Sequence, residues 1–322
     1  MRSTLGSIPG EICKPCNTFR CGQAQFADSP SRFCLGDAVH RHPPHAGLGS
    51  NTSIQDAYNL AWKIAYVETG RAGPSLLDTY SAERQPVGEG IVTRANDAHR
   101  EYPALWEALG MAPPGSGGAA LAELRSGSAA GEARRLRLRH AMARVAREYN
   151  GLGVEISQEY VSTAVYAKDE KGPFALHGAA ADDRVLHYQP STYPGRRLPH
   201  AWLNRAVPVE PRSTIDLAGN GAFALLTGHG GGPWIKAAEV VGASLGVTIN
   251  TASIGFRQDW EDAMNRWQDV CEIEESGAIL VRPDRFVAWR AARLMPGQSV
   301  ETCAKKLEEV LRSVLSITPT RF

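Results

Sequence analysis

The run Gly36-Asp37-Ala38-Val39-His40-Arg41-His42-Pro43-Pro44, followed by Gly47-Leu48-Gly49-Ser50-Asn51-Thr52 and then Ile54-Gln55-Asp56-Ala57, carries the densest chemistry in the chain. Arg32-Phe33-Cys34-Leu35 just before it reads as a short apolar strand. A carboxylate at the end of a strand, Asp37, can accept hydrogen bonds from the vicinal hydroxyls of a sugar-like chain. Pro43 and Pro44 stiffen the backbone and remove donors. Gly47 and Gly49 let the backbone approach a flat ligand. A helix is expected from about Asn51, with Asn51, Thr52 and Ser53 as candidate N-caps. It would aim free amides and its positive dipole end at the same place, which suits an electron-rich carbonyl or an anion. The combined requirement is a polyhydroxylated chain joined to a ring that gains negative charge. Along the helix, Ile54, Ala57, Ala61 and Ile64 recur at helical spacing and read as one buried stripe.

Gly70 and Gly73-Pro74 stop this helix, and a further one runs from about Ser75 past Pro86 towards Tyr102. Pro113 to Gly118 is a flexible break. A basic helix follows over roughly Glu132 to Tyr149, with Leu138, Met142, Val145 and Tyr149 expected on one face and the arginines in water. From about Arg212 short strands take over. Thr214-Ile215-Asp216-Leu217 and Phe223-Ala224-Leu225-Leu226 flank a Gly219-Asn220-Gly221 turn. Trp234, Ala238, Val241 and Leu245 mark a helix, and Val247-Thr248-Ile249 a strand. Ile279 to Arg282 and Phe286 to Trp289 form a hairpin across Pro283-Asp284. Val300, Ala304, Leu307, Leu311 and Val314 line a last amphipathic helix. This order suggests a small α/β sandwich.

A chain of 322 residues has room for about two domains. With 43% hydrophobic and 21% charged residues it reads as a soluble globular protein. Its net charge of +1 offers no broad field for nucleic acid or an anionic membrane surface, and no apolar run is long enough to span a bilayer. Met1 to Gly10 lack the apolar core of a signal peptide, so a reducing, cytoplasmic compartment is expected. Of the six cysteines, Cys13, Cys16 and Cys21 cluster near the start. A zinc site on Cys13-x2-Cys16 would need a second pair at matching spacing, which is missing, so reduced thiols are the expectation. His40, His42 and His45 invite a metal, but the two prolines stiffen their loop, and no metal is assigned.

The stretch GDAVHRHPPxxGLGxNTSIQDAYNLAWK resembles the second flavin motif of class A flavoprotein aromatic hydroxylases, in the phenol and chlorophenol hydroxylase branch. The resemblance continues through Leu77 to Gly88, resumes at Tyr188-Gln189-Pro190 and Pro194 to Trp202, and ends at Leu280 to Asp284 and Val287 to Arg290. It implies FAD as cofactor, NADPH as electron donor, dioxygen and a small aromatic substrate. By position, Gly36, Asp37, Pro43, Pro44, Gly47, Leu48, Gly49 and Asn51 would bind the cofactor. Asp37 would hold the ribityl chain, Pro43 and Pro44 would lie beside the isoalloxazine, the Leu48 and Gly49 amides would face its pyrimidine edge, and Asn51 would cap the helix or touch the ring. Without the motif, Asp37 would read as a turn residue.

The implied fold is α/β: a partial FAD-binding domain of the p-hydroxybenzoate hydroxylase type (PHBH-like), followed by a thioredoxin-like α/β domain. The divisions are an irregular segment 1–31, the C-terminal part of the FAD-binding domain 32–112, a linker and helical connection 113–184, and a thioredoxin-like domain 185–322. In that branch the last domain lacks a redox cysteine pair, and Gly228-His229-Gly230-Gly231-Gly232-Pro233-Trp234 contains no cysteine. The family's GxGxxG unit does not occur after a strand in this chain. Two readings follow. One is an FAD-dependent monooxygenase hydroxylating a phenolic ring, as a truncated member expected to be inactive alone. The other is a non-catalytic remnant or interaction module built on the thioredoxin-like domain. No catalytic residue is assigned, and a homodimer is left open. Glu83 and Arg84 read as a structural helix pair or a surface ion pair. Trp202, Trp234 and Trp289 read as packing residues.

Overall fold

A computed structural model describes residues 20–21, 32–111 and 115–317. The Cys13-x2-Cys16 pair, most of segment 1–31 and the Pro113-Pro114 part of the expected break lie outside the described residues. The chain divides into two compact units: Met1–Ile54 with Gln85–Glu155 and His177–Tyr188, and Gln55–Arg84 with Ile156–Leu176 and Gln189–Phe322. No described helix is long and apolar enough to cross a membrane.

In the first unit, β1 (Arg20–Cys21) pairs antiparallel with β2 (Arg32–Phe33). Two tight 3-10 turns, Gly36–Ala38 and His45–Gly47, lead into α1 (Leu48–Glu68), whose residues from Gln55 on count with the second unit. The helix α2 (Thr79–Leu109) follows and carries Pro86 and Pro103 inside it. Next come α3 (Gly117–Arg125) and α4 (Ala129–Ala146), joined by a short turn in which Ser128 caps α4 by accepting from the Gly131 amide at 3.1 Å. Arg135 donates to the carbonyls of Leu124 and Ser126, meeting the free end of α3, and Arg134 bonds Glu123 at 2.6 Å. These arginines are tied into a hairpin rather than left to solvent. The face of α4 that turns inward is Gly131, Leu138, Ala141 and Val145, continued by Glu148; Met142 and Tyr149 are exposed. The sequence expectation was out of phase because it took apolar side chains as the inner face, whereas glycine and alanine make the closest packing here. The short helices α5 (Leu152–Ile156) and α6 (Gly178–Asp182) follow.

The second unit holds two sheets. The smaller has order β4-β3-β7, with β3 (Trp202–Asn204), β4 (Arg212–Ser213) and β7 (Glu261–Asp262). The larger has order β6-β5-β8-β9, with β5 (Phe223–Thr227), β6 (Ile249–Ser253), β8 (Ala278–Val281) and β9 (Val287–Ala291). The strands β5 and β6 are parallel, so their link must cross over, and α7 (Gly232–Leu245) makes that crossing. The hairpin β8-β9 turns at Pro283-Asp284 as its sequence implies. A short α8 (Trp267–Val270) precedes β8, and α9 (Val300–Val314) closes the fold with Cys303, Leu307, Val310, Leu311 and Val314 buried. Thr214–Leu217 is a 3-10 turn, not a strand: Ser213 and Asp216 form a capping box that closes a helical turn on it.

Period-2 alternation sorts β5 between two cores. Phe223 and Leu225 point to the side of α7 and α9, and Ala224 and Leu226 to the side of Leu203, Trp260 and Trp267. Trp234 and Trp289 are buried edge to face, 5.4 Å between centroids, whereas Trp202 is 43% exposed and packs little. The first core also takes in Trp62, Tyr66, Leu76, Ala164 and Tyr166.

On α1, the expected stripe is reversed. Ile54 is 67% exposed, Ala57, Ala61 and Ile64 face outward, and the buried residues are Asp56, Asn59, Leu60, Trp62, Lys63 and Tyr66. Burial of ionic side chains is tolerable only when each is paired, and here each is. Lys63 meets Glu83 and Asp56 meets Arg84, both at 2.7 Å. Glu83 and Arg84 are therefore structural, as one reading had it, but they are buried and pair with other residues rather than at the surface with each other.

Candidate flavin-loop site

All eight residues assigned to the cofactor lie in the first unit between Gly36 and Asn51. Gly36 has φ +61, and a Cβ there would lie 2.8 Å from Ser53 Oγ. Glycine lets this turn rest directly on the first turns of α1. Asp37, next to it, is exposed, and among the described residues nothing bonds its carboxylate. Pro43 is half-buried and Pro44 exposed. The His42 ring lies over Gly49, whose Cβ would be 3.5 Å from Nε2, and stacks on His40 at 6.5 Å between centroids.

Two successive residues, Ala46 (φ 64) and Gly47 (φ +62), are left-handed. Among the described residues, no atom lies within 4 Å of the point a Cβ on Gly47 would occupy. The helix starts at Leu48, three residues ahead of the expected Asn51, because the loop leaves its left-handed pair only there. In consequence Asn51, Thr52 and Ser53 are not caps. Their side chains donate back to the carbonyls of Gly47, Leu48 and Gly49, at 3.2, 2.8 and 2.9 Å. The amides at the start of α1, Leu48 and Gly49 among them, belong to the first turn, which has no intrahelical partners for its N–H groups. A free carboxylate, an open glycine and a helix N-terminus on one short loop fit one edge of FAD, with hydroxyls for Asp37 and an electron-rich ring edge for the amides.

Behind the loop is a cluster that the sequence did not disclose. Glu148 Oε1 accepts from the Ala46 amide at 2.8 Å and lies 3.2 Å from His45 Nδ1. Its Oε2 accepts from Tyr102 at 2.8 Å, and His45 Nε2 lies 3.0 Å from His99 Nδ1. Burial works against ionisation of Glu148, but the Ala46 amide, Tyr102 and His45 outweigh it and hold the carboxyl below its ordinary range. The spacing 138, 141, 145 on α4, carried on to 148 in the turn after it, was the signal available for Glu148. His45 is thus engaged with protein partners.

The family model described as "FAD binding domain" matches residues 25–95, and that described as "Aromatic-ring hydroxylase, C-terminal" matches residues 191–317. The chain is 44% identical over 265 residues to phenol 2-monooxygenase of Pseudomonas sp. (strain EST1001), covering 81% of the chain and 42% of that protein. It is 43% identical over 288 residues to 2,4-dichlorophenol 6-monooxygenase of Delftia acidovorans, covering 88% and 47%. Among solved structures, the flavin-dependent monooxygenase PieE in complex with FAD and substrate is 39% identical, with a TM-score of 0.78 over 89% of this chain and 48% of that one. The chain therefore spans less than half the length of these relatives. Its two domain matches, its relatives and its fold agree: the chain carries an FAD binding domain match and an aromatic-ring hydroxylase C-terminal domain, and is similar over most of its length to part of the flavoprotein aromatic hydroxylases.

Proposed function

We propose that this chain supplies the flavin loop and the C-terminal domain of a monooxygenase that hydroxylates a phenolic ring with NAD(P)H and dioxygen. The observation that carries the reading is the loop itself: Asp37 exposed in the turn ahead of a left-handed Ala46-Gly47 pair at the start of α1, in a stretch matched to an FAD binding domain. When bound, FAD supplies the activation of dioxygen. The chain's own residues position it: Asp37 accepts hydrogen bonds from the ribityl chain, the Leu48 and Gly49 amides face the pyrimidine edge, Pro43 and Pro44 lie beside the ring, and Asn51 holds the first turn. On this reading 32–112 is the flavin part, 113–184 a connection and 185–322 the thioredoxin-like domain. The compartment is the cytoplasm, where NAD(P)H is available. Phenol 2-monooxygenase and the dichlorophenol monooxygenase make phenols the substrate class of choice.

The second reading, a non-catalytic module, draws on the position of both buried apolar clusters, which lie wholly in the unit that contains residues 189–322. One experiment separates them. FAD is titrated by fluorescence against the purified chain, alone and with the GxGxxG-bearing part of a related hydroxylase, and NAD(P)H oxidation is coupled to hydroxylated product. We expect tight binding only with the added part, and Asp37→Ala then to weaken it by about 1–3 kcal/mol, the cost of losing one charge-assisted partner. Absence of flavin binding in both samples would overturn the monooxygenase reading.

A further inference from the structure

We propose that Glu148 is the positioning residue of the flavin loop: it holds the left-handed Ala46-Gly47 pair in place before any ligand arrives, and thereby sets the loop's affinity for FAD. The second half of this statement rests on the function proposed above; the first half does not.

An L-residue in the left-handed region is strained unless its surroundings over-determine it, and Ala46 has no glycine-like freedom. Gly47 takes up the same conformation freely, so Ala46 is the residue that needs an external anchor. Glu148 is that anchor. One carboxylate oxygen takes the Ala46 amide and also faces the imidazole of the residue before it, so backbone and side chain of the loop are gripped by a single group. The other oxygen is held by the Tyr102 hydroxyl, which fixes the carboxylate plane. His45 is gripped from its far side by His99, with ring centroids 5.1 Å apart, and is flanked by the Tyr102 ring at 5.0 Å. With Glu148 ionised, every group is satisfied: His45 donates from Nδ1 to Glu148, and His99 donates from Nδ1 to His45 Nε2. His99 and Tyr102 sit on α2, so the loop is pinned between α2 and the segment after α4. Among the described residues, no other side chain bonds the backbone amide of Ala46. Glu148 lies outside residues 25–95, which the FAD binding domain matches, in the stretch that sequence reading treats as a connection.

The test uses the full chain and hydrogen exchange read by mass spectrometry, with no flavin required. In Glu148→Ala, the peptide covering residues 40–50 should exchange at least tenfold faster, while peptides over residues 223–253 stay unchanged and report an intact fold. Tyr102→Phe, which leaves the carboxylate in place but frees one oxygen, should give a smaller acceleration in the same peptide. Unchanged exchange over residues 40–50 in Glu148→Ala overturns the proposal. The flavin half is read in the two-part assembly described above. Glu148→Ala should weaken FAD binding about tenfold, and adding Ala46→Gly should restore most of it, because glycine adopts the left-handed conformation without an anchor. Faster exchange with unaltered FAD affinity would confine Glu148 to the loop and overturn its role toward the cofactor. An assembly that binds no FAD even with wild-type Glu148 would refute the flavin reading, and the exchange result would still decide the anchor.

Discussion

At the scale of single residues, the decisive group is Glu83. Its two oxygens meet Arg282 at 2.6 and 2.8 Å, and one also meets Lys63 and Asn59, each at 2.7 Å. Arg282 is shared with Asp284 at 2.5 Å, and Asn59 also reaches Asp284 at 3.0 Å. Lys63, Glu83, Arg282 and Asp284 thus balance in charge, as do Asp56 and Arg84 beside them. Burial depresses Lys63 to about 8, offset in part by Glu83, and burial opposes ionisation of Glu83, but Arg282 and Lys63 pull its carboxyl far below the ordinary range. Removing one member leaves the others uncompensated. Glu83→Gln should therefore cost about 3–5 kcal/mol in urea unfolding, the range for a broken buried pair. The same group sets an acid limb. Its folded value lies below its unfolded one, so its contribution is complete above the ordinary 4.5 and is lost as pH falls below that. Stability against pH should fall less steeply below 4.5 in Glu83→Gln than in the wild type; parallel limbs would show that other carboxylates carry the acid response.

At the scale of elements, α1 and α9 behave oppositely although both look amphipathic in sequence. On α9 the apolar positions are the buried ones, and Leu307 is fully enclosed between α7 and the sheet. Leu307→Ala should cost about 2–5 kcal/mol, the range for an enclosed leucine whose site cannot collapse. On α1 the aliphatic stripe faces out, with Ile64 37% exposed, and the charged residues face in. Ile64→Lys should change the stability of this chain by no more than about 0.5 kcal/mol, as for surface positions generally. Urea melts of the two variants side by side check both; a large loss for Ile64→Lys would mean that the stripe is covered.

At the scale of the whole molecule, the second unit is assembled from three stretches of chain. The core beneath α7 and α9 needs Trp62, Tyr66 and Leu76 from the first stretch and Ala164 and Tyr166 from the second. Arg282, 0% exposed, finds Glu83 only in the first. A fragment of residues 185–322 keeps the sheet but exposes that apolar surface and strands a buried arginine. It should lack a cooperative thermal transition by circular dichroism. A sharp transition at the temperature of the full chain would show that the first two stretches are dispensable.

The local features were legible in the sequence wherever one short stretch determines them. An apolar run after the Gly219-Asn220-Gly221 turn marked β5, the proline-aspartate turn marked the β8-β9 hairpin, and helical spacing marked α7 and α9. The glycines and prolines of residues 36–51 marked a loop with an unusual backbone, because backbone freedom and rigidity are properties of the residue itself. What only the tertiary structure decided concerns partners far apart in sequence. The inner face of α1 can take Asp56 and Lys63 beside Leu60, Trp62 and Tyr66 because Glu83 and Arg84 arrive to neutralise them, and hydrophobic periodicity does not register such partners. The start of α1 at Leu48 follows from a left-handed pair that Glu148 anchors from 102 positions away. Spacing along a chain reports which side chains share a face; it does not report which charge will come to meet them.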